Sequence, residues 1–277
     1  MQKKLHVYLL FCMIACFTLI AFLVFKYDFI NHSEYRKIKL VDFNIQGIEC
    51  IKNKIIVLEN ASGLYEVKLA ENTFIKLADL KRLDEDVYNN INILTHPTSI
   101  VMNNNNSAFA TNSMEKRSPR IVEFDYNLFL DKKYLATETV KKILVMDEYE
   151  SLHIEKFSYA NKNYIILAGN SNGSSVLDFY ESDISKKVCR LDYNKNIQNL
   201  LWDVENERLL VFSNVLRNRG GMILEHKINF EKNCLKIKKT VKTITLTTME
   251  LEGYTYCQNK HLYAYIGYNN NSYILFK

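Results

Sequence analysis

The feature that most constrains this chain is a repeat. Five apolar runs recur, each closing on an asparagine: KIIVLEN at Asn60, NSAFATN at Asn112, NYIILAGN at Asn170, RLLVFSN at Asn214 and LYAYIGYN at Asn269. Successive closing asparagines lie 44 to 58 positions apart. A short polar turn precedes each run: Lys52-Asn53-Lys54, Asn103 to Asn106, Asn161-Lys162-Asn163, Glu205-Asn206-Glu207 and Gln258-Asn259-Lys260. Self-similarity at this period means that each unit is one supersecondary element, which buries its apolar face only by stacking on a neighbour.

A third run follows in every unit: LYEVKL from Leu64, RIVEFDY from Arg120, SVLDFYE from Ser175, MILEHKINF from Met222 and SYILFK from Ser272. Several alternate apolar and polar residues, the period-2 pattern of a half-buried strand. Val, Ile, Tyr and Phe dominate them, as a pleated surface favours. A more polar fourth run follows in most units, for example Cys234 to Lys239, as suits an outermost strand. This pattern resembles a β-propeller, in which four-stranded blades surround a channel. The resemblance covers roughly residues 36–277 and rests on repeat spacing and strand pattern. No WD dipeptide signature and no kelch double glycine accompanies it, and Gly220-Gly221 is out of phase. It implies an all-β, five-bladed propeller with four-stranded antiparallel blades. An open β-sandwich or an irregular β-solenoid is the alternative. The fifth unit stops at Lys277 after its third strand, and the segment about 35–43 (YRKIKLVDF) supplies a strand that would complete that blade.

Ahead of the repeats, Leu5 to Phe25 is apolar or small apart from His6, Tyr8 and Thr18. About 20 such residues span a bilayer core as a helix, so the expectation is one N-terminal transmembrane helix over about 5–25. This gives a membrane anchor in residues 1–30 and a propeller domain in 31–277. A cleaved signal peptide would end in an A-x-A-like site, which is absent. A lipoprotein would use Cys16 within Met13 to Cys16, but the chain stays apolar for nine residues beyond it. Lys3 and Lys4 precede the run, whereas Lys26, Arg36, Lys37 and Lys39 follow it. The short N-terminal tail favours a single-pass protein with its C-terminal domain exported, on the periplasmic or extracellular side.

Composition excludes little beyond this. The net charge of +5, with Lys3, Lys4 and Lys26 against Asp28 providing +2 of it, is too mild for a nucleic-acid binder. Histidines 153, 226 and 261 have no zinc-ligand spacing, and no P-loop or nucleophile elbow is present, so neither metal nor cofactor is implied. Cys50, Cys189, Cys234 and Cys257 fall in the folded part. Cys50 and Cys257 lie in first strands that would neighbour each other after ring closure, but one residue out of phase, and free buried thiols are expected.

Two places could carry function. One propeller face collects the closing residues Asn60, Asn112, Asn170, Asn214 and Asn269, with Arg117, Arg120, Arg217 and Arg219 in the loops of units two and four. A ring of amides there would suit a sugar or peptide, although asparagine is also ordinary turn chemistry. The second place is the channel. First-strand acids Glu49, Glu155, Asp203 and Glu252 would do acid and base work if strand alternation turned them inward. The function favoured is a membrane-tethered, non-catalytic binding or scaffolding module for a protein or glycan, one form of which is an envelope protein of immunity type. The competing classes are a membrane-bound carbohydrate-active enzyme and a structural subunit of an envelope assembly.

Overall fold

The structure, a computed structural model, describes residues 35–40, 42–60, 63–80, 94, 96–113, 119–171, 174–216, 219–231, 234–247, 250–266 and 271–277. The expected anchor over about 5–25, with Asn269, Arg117 and Arg217, lies outside these residues. Among the described residues no helix is long and apolar enough to cross a membrane.

The repeats are blades of a five-bladed β-propeller. Blade one contains β2 (Ile45–Ile51), β3 (Lys54–Glu59), β4 (Gly63–Lys68) and β5 (Thr73–Asp79). Blade two contains β6 (Pro97–Met102), β7 (Ser107–Asn112), β8 (Arg120–Asp125) and β9 (Val140–Val145). Blade three contains β10 (Ser151–Tyr159), β11 (Lys162–Ser171), β12 (Ser174–Glu181) and β13 (Lys187–Tyr193). Blade four contains β14 (Asn199–Asp203), β15 (Arg208–Leu216), β16 (Arg219–Glu231) and β17 (Cys234–Thr247). Blade five takes three strands from the C-terminus, β18 (Glu250–Cys257), β19 (Lys260–Ile266) and β20 (Ser272–Phe276), and its fourth, β1 (Arg36–Leu40), from the N-terminal side. β1 pairs antiparallel with β20, Arg36 opposite Phe276 and Leu40 opposite Ser272. This closes the ring and gives β20 a partner on its otherwise open edge. Ser272 fixes the join: its hydroxyl donates to the Phe43 carbonyl (2.5 Å) and accepts from the Ile45 N–H (2.9 Å).

The turn chemistry follows the sequence. Lys52-Asn53, Ala160-Asn161 and Gln258-Asn259 each have φ > 0 at both residues, the two-residue hairpin turn whose twist matches the flanking strands. The β10–β11 turn is thus centred one residue before the polar cluster that marks it in the sequence. One element is absent from the sequence reading. A seven-residue helix, α1 (Tyr126–Lys132), is inserted between β8 and β9. Asp125 caps it by accepting from the Leu128 N–H (3.0 Å), and Lys133 ends it in a left-handed conformation.

The core is divided among the blade interfaces. One apolar cluster lies between each neighbouring pair, and five clusters complete the circle. The period of two explains this. Ile48 and Cys50 of β2 face blade five, while Ile51 faces blade two. Every blade therefore offers one parity of residue to the blade before it and the other parity to the blade after.

That rule corrects the expectation of free thiols. Cys50 and Cys257 form a disulfide, with Cα atoms 5.4 Å apart. Facing blades present opposite parities, so an offset of one residue is what brings two first-strand side chains together. A second disulfide joins Cys189 on β13 to Cys234 on β17, the outermost strands of blades three and four, also with Cα atoms 5.4 Å apart.

Candidate functional site

The innermost strands β2, β6, β10, β14 and β18 pack side by side around the axis. At the end of the channel formed by the first hairpin turns they enclose a cavity of about 380 Å³. All five blades contribute to it. Apolar side chains, Ile51, Ile100, Val101, Met102 and Leu201, form much of its lining. Trp202, the only tryptophan of the chain, also lines it, with Tyr256 and Val204. Tyr256 and Val204 are 43 % and 71 % exposed, so the cavity opens to solvent past apolar groups.

Two acids meet here. Glu49 of β2 and Glu155 of β10 come from blades that are not neighbours, and both line the cavity. Each is 7 % exposed. Burial raises the Glu49 carboxyl well above its ordinary range, and the charge of Glu155 raises it further. Burial likewise raises Glu155, to about 8, against the backbone N–H groups of Trp202 and Lys156, which hydrogen-bond to it and favour its charged form. The two acids are therefore unequal. The backbone N–H groups of Trp202 and Lys156 favour the Glu155 anion, whereas no donor does so for Glu49 among the described residues. Lys156 lines the same cavity, but its ammonium donates to the Asn103 carbonyl (2.5 Å) at the β6–β7 turn and forms no ion pair with either acid.

The other two first-strand acids do not join them. Asp203 ends β14 and accepts from the backbone N–H (3.2 Å) and the side-chain amide (2.8 Å) of Asn206, which ties it into the β14–β15 turn. Glu252 lies towards the opposite end of the channel. It is the unpaired residue of a β-bulge between Leu251 and Gly253, is 8 % exposed, and its carboxyl is raised by burial and by nearby Glu250. Between the two levels the strands approach closely. A Cβ on Gly253 would lie 3.1 Å from the Ile48 nitrogen and 2.8 Å from the Asn199 amide.

The loop face has a different character. Asn60, Asn112, Asn170 and Asn214 sit at the same end of the second strands. The Asn112 side chain accepts from the Arg120 N–H (2.7 Å) and the Asn170 side chain from the Ser175 hydroxyl (2.8 Å). Those oxygens brace the loops that follow. Arg120 is half-buried at the start of β8, and Arg219 begins β16. The acidic connection before blade three is likewise engaged: Glu148 pairs with Lys187 (2.9 Å) and Arg190 (2.7 Å). Arg190 and Lys187 also hold the fully buried Asp178, at 2.6 and 3.0 Å. The histidines serve packing. His226 and His261 bond to Tyr193 (2.8 Å) and Tyr254 (2.5 Å), and burial, with nearby His96, lowers His153 to about 4.

Sequence reasoning named Glu49 and Glu155 but missed Trp202, Thr255, Tyr256 and Met102. The available signal was position: all lie within four residues of a first hairpin turn, on strands that must be innermost. Among the described residues no three His, Cys, Asp or Glu side chains cluster as metal ligands.

No family model matches the sequence, and no curated protein matches it. A gluconolactonase from Xanthomonas campestris is similar in structure, with a TM-score of 0.53 over 88 % of this chain and 90 % of its own, at 10 % identity. Likeness at that identity is likeness of fold alone.

Proposed function

We propose that this chain is a non-catalytic binding module that takes a small organic ligand into the hairpin-turn end of its channel. In this reading the N-terminal apolar segment tethers it to a membrane with the propeller exported. One observation carries the proposal: two buried acids from non-adjacent blades converge, with a tryptophan and a tyrosine, on one solvent-open cavity. Apolar walls with a few convergent polar groups and perturbed acids are the ordinary signature of a ligand site. The volume is at the small end for such sites, which favours a ligand of modest size over a polymer. Two disulfides support an oxidising compartment, in keeping with export.

The loop face is the weaker candidate, because its best-placed amide oxygens already hold the protein's own loops. A thermal-shift screen of the full chain against small amines, sugars and carboxylates tests the choice. The channel reading expects a hit that the double substitution Glu49→Gln, Glu155→Gln removes and Arg120→Ala leaves. A hit with the reverse pattern sinks it.

An acid–base enzyme is the second reading, and the inequality of the two acids favours it. The backbone N–H groups of Trp202 and Lys156 favour the Glu155 anion, which would make Glu155 the carboxylate base and Glu49 the proton donor. Glu155 is protonated below about pH 8 and Glu49 is raised well above its ordinary range, so the pair lacks a base at neutral pH. Hydrolysis of a lactone or glycoside by this pair should therefore rise through pH 8. The gluconolactonase likeness makes a lactone the first substrate to try. Turnover that is highest at pH 6 would exclude this pair as the catalyst.

A further inference from the structure

We propose that the channel cavity is built for an organic cation: a small molecule whose protonated amine sits between the carboxylates of Glu49 and Glu155, with its apolar body against Trp202. This rests on the channel being the ligand site and names the class of ligand.

The groups that face the two acids are few. β6 contributes no titratable side chain, only Ile100, Val101 and Met102. β10 contributes Lys156, whose ammonium is turned to the Asn103 carbonyl. β14 ends in Asp203, committed to its turn, and β18 contributes Tyr256. The disulfide beside Glu49 carries no charge. Two carboxyls thus share a small cavity with no cation turned to them among the described residues, and Glu49, nine-tenths buried and lining the cavity, lacks even a hydrogen bond there. An isolated buried carboxylate is costly, so each acid stays protonated while the cavity is empty. A ligand ammonium would remove that cost by supplying the missing charge and up to three donors.

The alternatives fit less well. An anion would meet two acids. A sugar needs a polar partner for most of its hydroxyls, but beyond the acids and Lys156 the lining offers chiefly Thr255, Ser158 and Tyr256, and the Ser158 hydroxyl already donates to Asn163 (2.6 Å). A metal ion would leave the aromatic faces idle, whereas an organic cation uses them through its attraction to the ring.

Binding then has a proton signature. A cation that ionises Glu155, and to some extent Glu49, expels between one and two protons per molecule bound near neutral pH. By linkage its affinity rises about tenfold per pH unit for each proton released, up to the acids' own titration. Trp202 reports on the cavity without a label.

The test titrates the full chain with four small probes: butylamine hydrochloride, its neutral isostere 1-butanol, glucose and sodium butyrate. Trp202 fluorescence and calorimetry in buffers of different ionisation enthalpy are the readouts. The expected result is saturable binding of butylamine, at least tenfold tighter than 1-butanol at pH 7.5. Each butylamine bound should release one to two protons, and the Glu49→Gln, Glu155→Gln variant should lose both the preference and the release. Urea unfolding of that variant, with a midpoint at or above wild type, shows that it is folded. If 1-butanol or glucose binds as tightly as butylamine, or if butylamine binds without proton release, the cation inference fails and the channel reading stands. If none of the four probes changes the Trp202 signal, both fail.

Discussion

Cys50 on β2 and Cys257 on β18 are bonded across the one seam of the ring where blade five meets blade one, 207 residues apart in sequence. Within blade five, the join of the N-terminal strand β1 to β20 is non-covalent. The disulfide therefore makes covalent, at the channel wall, a closure that is otherwise non-covalent.

Cross-linking restricts the unfolded chain more as the closed loop grows. In the chain-entropy account a loop of this length contributes about 5 kcal/mol, and the 45-residue loop between Cys189 and Cys234 about 4 kcal/mol. Cys50→Ala with Cys257→Ala should lower the urea midpoint strongly, and the Cys189, Cys234 pair should do so a little less. Equal midpoints with and without a reductant would show that neither bond forms.

Asp178 gives a second test. It is fully buried on β12 and accepts from both Nε (2.8 Å) and an Nη (2.6 Å) of Arg190, from Lys187 and from the Tyr149 hydroxyl. Burial alone would raise its pKa, but the hydrogen bonds from Arg190, Tyr149 and Lys187 outweigh it and hold the carboxyl below its ordinary range. A depressed acid adds stability that is fully present above the unfolded pKa of about 3.9 and is lost as pH falls through the folded value. Asp178→Ala should cost on the order of 3 kcal/mol at pH 7, because it strands two cations in a part-buried site. Glu148→Ala, at a pair more open to water, should cost under about 1 kcal/mol. Comparable losses in the two variants would contradict this ranking.

Much of the architecture was legible because its signals are local. Alternation marked the strands, and Asn53, Asn161 and Asn259 marked left-handed turns that asparagine tolerates. What escaped depends on neighbours in space. The phase of Cys50 and Cys257 argued against pairing until the opposed parities of facing blades were known. Helix α1 is too short for a periodicity to show, and its cap, Asp125, lies inside a run that reads as strand. Four acids lay on first strands, yet the Asn206 turn took Asp203 and a bulge displaced Glu252, neither of which leaves a mark in one unit's sequence. The cavity lining comes from five strands, one per unit, so no single stretch of chain could display it.

Glu155 predicts the opposite pH dependence from Asp178. Its folded pKa, about 8, is raised above an unfolded value of about 4.3. The folded state then binds more protons than the unfolded state between those values. Stability is fully present below about pH 4.3 and falls as pH rises towards 8, by up to about 1.4 kcal/mol per unit. Urea midpoints measured from pH 5 to 8 should decline, with Glu49 and Glu252, also raised by burial, adding to the fall. Glu155→Gln should flatten the decline and overtake wild type as pH nears 8. A wild-type midpoint that stays constant from pH 5 to 8 would refute the buried, protonated acid.

Gly169 offers a test that reaches the site through the backbone. It lies on β11 opposite Leu152, and a Cβ there would fall 1.9 Å from the Ser151 carbonyl oxygen. That oxygen belongs to β10, so it cannot swing aside as a side-chain end would. Gly169→Ala must push β10 off β11, and β10 is the strand that carries Glu155 to the channel. Overpacking of this kind costs about 1–3 kcal/mol, read as a lower urea midpoint with an unchanged slope. The same displacement should move Glu155 relative to Trp202 in the cavity they both line and shift the Trp202 emission of the native state. Loss of stability without any change in Trp202 emission would mean that β10 yields only near Ser151 and that the cavity is insulated from the blade's outer strands.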